Sequence, residues 1–206
     1  MSRTPRQAPL VQMPVGSVPE GNIVDFLTGK FFNDTPEEYV RQNIEKALVR
    51  QYRYEREDCE PEFRIKAGSS KPRVDVVVFE AGKAHLQENA YILVETKKAK
   101  TSPNDKKEGV DQLKSYMAAC LNATYGLWTN GDDRICLAKR ASSSGDFAFE
   151  EIIEIPAAGQ SEEEAQRPRR KDLKPATADN LLFGITSVSW TGSIYATAAP
   201  SIVASS

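Results

Sequence analysis

The sequence predicts one α/β domain, with elements in the order α-β-β-β-α-β-β, over residues 35–155 of 206. Three observations predict it. Two segments carry apolar residues at helical spacing, two runs rich in Val and Ile read as buried strands, and an Asn-Gly pair separates two further apolar runs.

TPEEYVRQNIEKALVRQY, from Thr35, is the first helix. Thr35 can cap, Pro36 suits the first turn, and Glu37 and Glu38 favour the positive end of the dipole. Val40, Ile44, Ala47 and Leu48 make one apolar stripe. At 100° per residue, Glu37 lies on its border and Glu38 faces well away. EFRIK, Glu62 to Lys66, alternates as a strand does, and RVDVVVF (Arg73–Phe79) and YILVETK (Tyr91–Lys97) are the next two strands. The second helix runs from Asp105 to Ala123, with Val110, Leu113, Met117 and Cys120 at core spacing. YGLWTNGDDRICLAK gives two strands around an Asn-Gly turn, and FAFEEIIEI one more.

Either side of this domain the character changes. Residues 1–34, rich in Pro and Gly at their start and without the apolar stretch of a signal peptide, read as a flexible arm. Residues 156–179 pair an acidic block with a basic one and read as a linker. Residues 180–206 contain no charge and no clear period. Such a tail fits loss of the native reading frame near Phe183, leaving an N-terminal fragment.

Composition narrows the chemistry. Charged residues make up 27% and hydrophobic ones 40%, with a formal net charge of −2. Any nucleic-acid surface must therefore be a local patch. Three cysteines, Cys59, Cys120 and Cys136, with no CxxC pair, suit a reducing cytoplasm and argue against a zinc site. His85 is the one histidine and sits in a polar stretch, which excludes histidine triads and His-rich metal sites. Nothing approaches a membrane span.

The strand YILVETK ends with a carboxylate and an ammonium, Glu95 and Lys97, on one face. If it pairs antiparallel with RVDVVVF, Asp75 arrives beside both. Two converging carboxylates in a half-buried strand are costly unless a cation lies between them. Mg²⁺ suits such oxygen ligands, and beside it a lysine can orient a water and offset developing charge. That is the chemistry of phosphodiester hydrolysis.

Asp75, followed by Glu95-Thr96-Lys97 after an apolar run, resembles the PD-(D/E)xK nuclease motif. Gln112 and Tyr116 resemble the QxxxY element of its RecB-like branch, and PEEYVRQ, Pro36 to Gln42, resembles the opening helix of the N-terminal nuclease domain of type I restriction enzyme R subunits. The likeness spans roughly residues 35–140, although Pro72 stands three residues before Asp75 rather than beside it. It implies a restriction-endonuclease-like core, with a central mixed β-sheet flanked by helices. It implies Mg²⁺, with Mn²⁺ as a substitute, on Asp75, Glu95 and the Thr96 carbonyl. Lys97 would position the attacking water, Glu37 in preference to Glu38 would support the metal, and Gln112 and Tyr116 would steady the site and touch the DNA backbone. The partners implied are DNA and the motor, methylase or specificity subunits of a restriction system.

Singly, each feature has a plainer reading. Glu95 and Lys97 would make a surface ion pair worth under ~1 kcal/mol, Asp75 an exposed edge residue, Glu37 and Glu38 ordinary first-turn acids, and Gln112 and Tyr116 structural helix residues. Their joint order favours the nuclease. KKAKTSPNDKK, Lys97 to Lys107, holds five lysines against one aspartate; Lys98, Lys100, Lys106 and Lys107 would either be a solvated loop or grip phosphates at the rim. No GxxxxGK[ST] phosphate loop and no methyltransferase signature occurs. Three classes stay open: a Mg²⁺-dependent restriction-type endonuclease domain, a nuclease-fold module that binds without cutting because its motor or methylase part is missing, and an α/β interaction protein.

Overall fold

The computed structural model describes residues 18–142 and 147–167. The expected tail, the second half of the linker and the first half of the N-terminal arm lie outside them.

A six-stranded mixed sheet forms the centre, in spatial order β3-β4-β5-β6-β7-β8. Its strands are β3 (Cys59–Arg64), β4 (Arg73–Phe79), β5 (Ala90–Thr96), β6 (Tyr125–Thr129), β7 (Arg134–Ala141) and β8 (Phe147–Ile152). Every neighbouring pair is antiparallel except β5 and β6. That parallel pair needs a crossover, which α2 (Val110–Ala119) supplies. The first helix, α1 (Pro36–Arg50), packs on the opposite face.

Each helix buries its own cluster of apolar side chains against the sheet. On one face Leu48, with Ile44 and Ala47, meets Val76, Val78, Ile92, Val94 and Leu127. On the other, Leu113 and Met117 meet Val77, Leu93, Trp128 and Leu137. Strands β4 and β5 are covered on both sides, so Val76, Val77, Val78, Ile92, Leu93 and Val94 are all fully buried and read as continuous apolar runs. Gly126 is required where α2 crosses β6: a Cβ there would stand 2.4 Å from Met117 Sδ.

Several boundaries differ from those the sequence suggests. Strand β3 begins at Cys59 rather than Glu62, because Cys59, Glu60 and Pro61 already pair with Val78, Val77 and Val76, and it ends at Arg64, short of a turn in which Ala67 bridges Ser70. Helix α2 begins at Val110 rather than Asp105: the Asp105 carboxylate accepts the Lys107 and Glu108 amides, folding those residues into a turn. The helix ends at Ala119, where Lys139 Nζ donates to the carbonyls of Met117, Cys120 and Leu121 at 2.6–2.9 Å.

Two flanking segments are more ordered than expected. Within the supposed flexible arm, β1 (Asn22–Val24) and β2 (Phe31–Asn33) pair as an antiparallel hairpin. Leu27 in its turn is buried in the α1-side core, which holds the hairpin down. At the start of the supposed linker, Pro156 is buried and its carbonyl accepts from the Tyr54 hydroxyl at 2.7 Å, and α3 (Glu162–Ala165) begins with a Ser161–Glu164 capping box. The observed order therefore adds β1, β2 and α3 to the expected elements, while β8 is the strand expected at FAFEEIIEI, beyond the two around the Asn-Gly turn.

Candidate active site

The opposite direction of β4 and β5 places the start of one beside the end of the other. Val76 pairs with Val94, so the next step of that register sets Asp75 against Glu95. Asp75 Oδ2 accepts two hydrogen bonds from the following residue of β5, the Thr96 amide at 2.7 Å and its hydroxyl at 3.0 Å. Thr96 is thereby committed to orienting Asp75, and across β6 it pairs with Thr129.

Glu95 is 1% exposed, beside Trp128 on the α2 face of the sheet. Lys97 is 8% exposed, and its Nζ donates to Glu95 Oε2 at 2.9 Å. From the other face, the first turn of α1 brings Glu37 Oε1 to 3.9 Å from the same ammonium. Three acids and one lysine thus meet where β5 leaves the sheet. On α2, Gln112 Nε2 donates to the Tyr116 hydroxyl at 2.8 Å.

The electrostatics reflect burial without enough positive charge. Burial, and then Asp75, push the Glu95 carboxyl up to about 8 against the pull of Lys97. For Lys97, burial favours the neutral amine, but Glu95 and Asp75 together outweigh it and raise its pKa. Burial also raises Glu37, opposed by Lys97. Tyr116 is raised by burial, with a further contribution from Glu95, so its hydroxyl lies within electrostatic reach of the carboxylates.

Among the described residues, three buried side-chain oxygens lack any hydrogen-bond partner, and two of them are here: Glu95 Oε1 and Gln112 Oε1. A buried carboxylate oxygen without a partner is expensive, and a hard divalent cation shared with Asp75 would satisfy it. No group of three or more His, Cys, Asp or Glu among the described residues is arranged to hold a metal. A Mg²⁺ ion held by one or two carboxylates, with water filling its other positions, needs no such cage. The donor set therefore fits.

The preference for Glu37 over Glu38 rested on helical phase. Glu37 does face Lys97, but Glu38 is not the solvent residue its phase suggested. It is buried against Arg41, with a bidentate pair at 2.6 and 3.0 Å. Lys98, Lys100, Lys106 and Lys107 are exposed on the loop leaving the site, and none has an ion-pair partner among the described residues.

One residue of this region escaped the sequence reading. Asn130, which in the sequence marks only half of a turn, is buried and its side chain makes four hydrogen bonds. Its Oδ1 accepts the Asp132 and Asp133 amides, while its Nδ2 donates to the Asp133 carboxylate and to the Thr101 carbonyl, tying the lysine loop to the β6–β7 turn. The Asn-Gly pair signals the turn but carries no sign of that long-range bond. The cavity of about 420 Å³ beside Tyr54, Phe79 and Tyr91 lies at the other end of β4 and contains none of these site residues. His85 likewise stands apart, bonded to Glu60 at 2.7 Å and stacked on Phe79.

A family model described as Type I restriction enzyme R protein N terminus (HSDR_N) matches residues 36–156. No curated protein and no solved structure matches the chain. Among the described residues, no helix is long and apolar enough to cross a membrane.

Proposed function

The chain belongs to the family of type I restriction enzyme R protein N-termini, and we infer from that membership and from its site that it is a metal-dependent endodeoxyribonuclease domain of a restriction system. Within that reading the core is of the PD-(D/E)xK kind, in its QxxxY branch. Its substrate is DNA, its other partners are subunits of the same system, and its compartment is the cytoplasm.

The observation that carries this reading is the convergence of Asp75, Glu95 and Lys97, with Glu95 Oε1 buried and unpartnered. Asp75 and Glu95, with the Thr96 carbonyl, would hold Mg²⁺ or Mn²⁺. Bound there, the ion would supply a Lewis acid for the scissile phosphate and ease ionisation of a water.

The remaining work falls to side chains. Lys97 carries a fixed positive charge at the site's centre, suited to orienting the attacking water and offsetting charge that builds on the phosphate. Glu37 draws the ammonium from the α1 side and so sets its direction. Tyr116 accepts its hydrogen bond from Gln112, which leaves the phenolic proton for a phosphate oxygen. Exposed Lys98, Lys100, Lys106 and Lys107 give the duplex backbone a basic rim.

The test is plasmid nicking with Mg²⁺ and then Mn²⁺, comparing the wild type with Lys97→Ala purified in parallel. Nicking by the wild type, with a loss of at least ~100-fold in the variant, is the expected result. Equal nicking by both would refute the role of Lys97. If neither cuts but both bind Mn²⁺, the reading changes to a binding module that cuts only when joined to its motor or methylase part.

A further inference from the structure

Helix α1 buries an unusual face. Its fully or nearly buried residues are Glu38, Arg41, Gln42, Glu45 and Leu48, four of them polar. What covers the polar ones is the β1–β2 hairpin, which lies before the residues matched by the family model. Arg41 is at the centre. Its guanidinium holds Glu38 bidentately, reaches Glu45 at 2.7 Å and Asp25 at 3.2 Å, and stacks 4.4 Å over the Phe32 ring. Gln42 makes a second tie, accepting the Phe26 amide at 2.8 Å and donating to Glu38 at 3.0 Å. On the hairpin side, Asp25 is fixed by the Thr28 amide and hydroxyl, both at 2.6 Å.

This network is poorly suited to stabilising the fold for its own sake. Three buried carboxylates share one arginine, and Glu45 Oε2 is left without a partner. Apolar packing of the same volume is often at least as stable as a buried ionic cluster. What directional bonds add is rotational definition: apolar packing lets a helix turn slightly about its axis, whereas a bidentate arginine does not. Thr35 shows the same diversion. It caps the Glu38 amide, but the Glu38 carboxylate, which in a capping box would bond back to residue 35, goes to Arg41 and Gln42 instead.

Glu37 is the residue beside Glu38, on the turn so held. A side chain about 6 Å from the helix axis moves about 2 Å for a 20° rotation, enough to take its carboxylate away from Lys97. We propose that the β1–β2 hairpin is a clamp on the first turn of α1, and that Asp25 and Arg41 are positioning residues that hold Glu37 against Lys97. The part of this inference that concerns catalysis rests on the nuclease reading; the clamp itself does not.

Asp25→Asn in the full chain tests it, because the amide still accepts from Thr28 but no longer attracts Arg41. Amide hydrogen exchange is followed at Glu38 to Arg41 and, for comparison, in the last turn of α1 and in β5. Exchange in the first turn should accelerate about tenfold with the other two unchanged. Mn²⁺-dependent nicking by Asp25→Asn should lose about tenfold in kcat, with KM for DNA unchanged. In a Glu37→Gln background the same substitution should cost less than about twofold, because its effect passes through Glu37. Unchanged exchange in the first turn would overturn the clamp. Equal losses in both backgrounds would overturn its action through Glu37. A wild type that fails to nick overturns the nuclease reading for this chain acting alone and leaves exchange to decide the clamp. If Asp25→Asn unfolds, Thr28→Val, which removes the turn hydroxyl that donates to Asp25 and accepts the Lys30 amide, must give the same pattern at smaller amplitude.

Discussion

Glu95, buried one residue before the end of β5, has one oxygen on Lys97 and the other on nothing. Its carboxyl, raised to about 8 by burial and by Asp75, holds a proton through most of the neutral range. The sign for cation binding follows: below about pH 8 a divalent ion must displace that proton, and above it the site is already ionised. Apparent Mn²⁺ affinity should therefore rise by up to roughly tenfold per pH unit below that value and then flatten. Calorimetric titration from acid to mildly alkaline pH measures this, and Glu95→Gln should remove most of the slope. A flat wild-type profile would mean that Glu95 is not a ligand. The residues themselves were legible, since a carboxylate and a lysine two apart at the end of an apolar run stand out in any reading. Glu38 was not, because helical phase defines an inside only by where the apolar residues lie. The buried polar face of α1 exists because a hairpin covers it, and no periodicity in α1 reports the hairpin.

Helix α2 is anchored from outside its own sequence. Ten residues with no side-chain N-cap make a marginal helix. It is held by Leu113 and Met117 in the core, by the close approach over Gly126, and by Lys139 at its C-terminal carbonyls. All three ammonium protons of Lys139 are used in this way. Lys139→Met should keep the stem packed and lose the caps, costing about 1–3 kcal/mol. A urea midpoint that drops at unchanged slope checks it; an unchanged midpoint would show that those carbonyls are satisfied without the lysine. The apolar positions of α2 could be read from spacing, yet its start was misjudged by five residues and its end by four. Both errors have one cause: termini are set by what bonds the free amides and carbonyls, here the Asp105 carboxylate and a lysine from another strand. Strand β4 shows the converse, with bounds that match the expected Arg73–Phe79 because a run of valines defines its own limits.

At the scale of the molecule, a formal charge of −2 gives no general attraction for a polyanion. Among the described residues, the proposed DNA binding rests on the exposed basic loop whose position Asn130 secures through Thr101. If Lys98, Lys100, Lys106 and Lys107 each meet a phosphate, replacing all four with alanine should flatten the dependence of log affinity on log salt by roughly 3 to 4 units. Fluorescence anisotropy on a labelled duplex at several salt concentrations measures that slope, and an unchanged slope would place the DNA elsewhere. By itself, the sequence determined the class of fold, the main strands and helices, and the identity of the clustered acids and lysine. Each of these is written in local pattern: alternation, helical spacing, and charged residues at the end of an apolar run. Only the tertiary structure decided that a hairpin closes over α1, that residues 156–167 pack back on the domain, that Thr96 orients Asp75, and that Glu95 keeps an oxygen without a partner. Those facts depend on which distant groups meet in a region sheltered from water, and pairings over long separations leave no period in the chain.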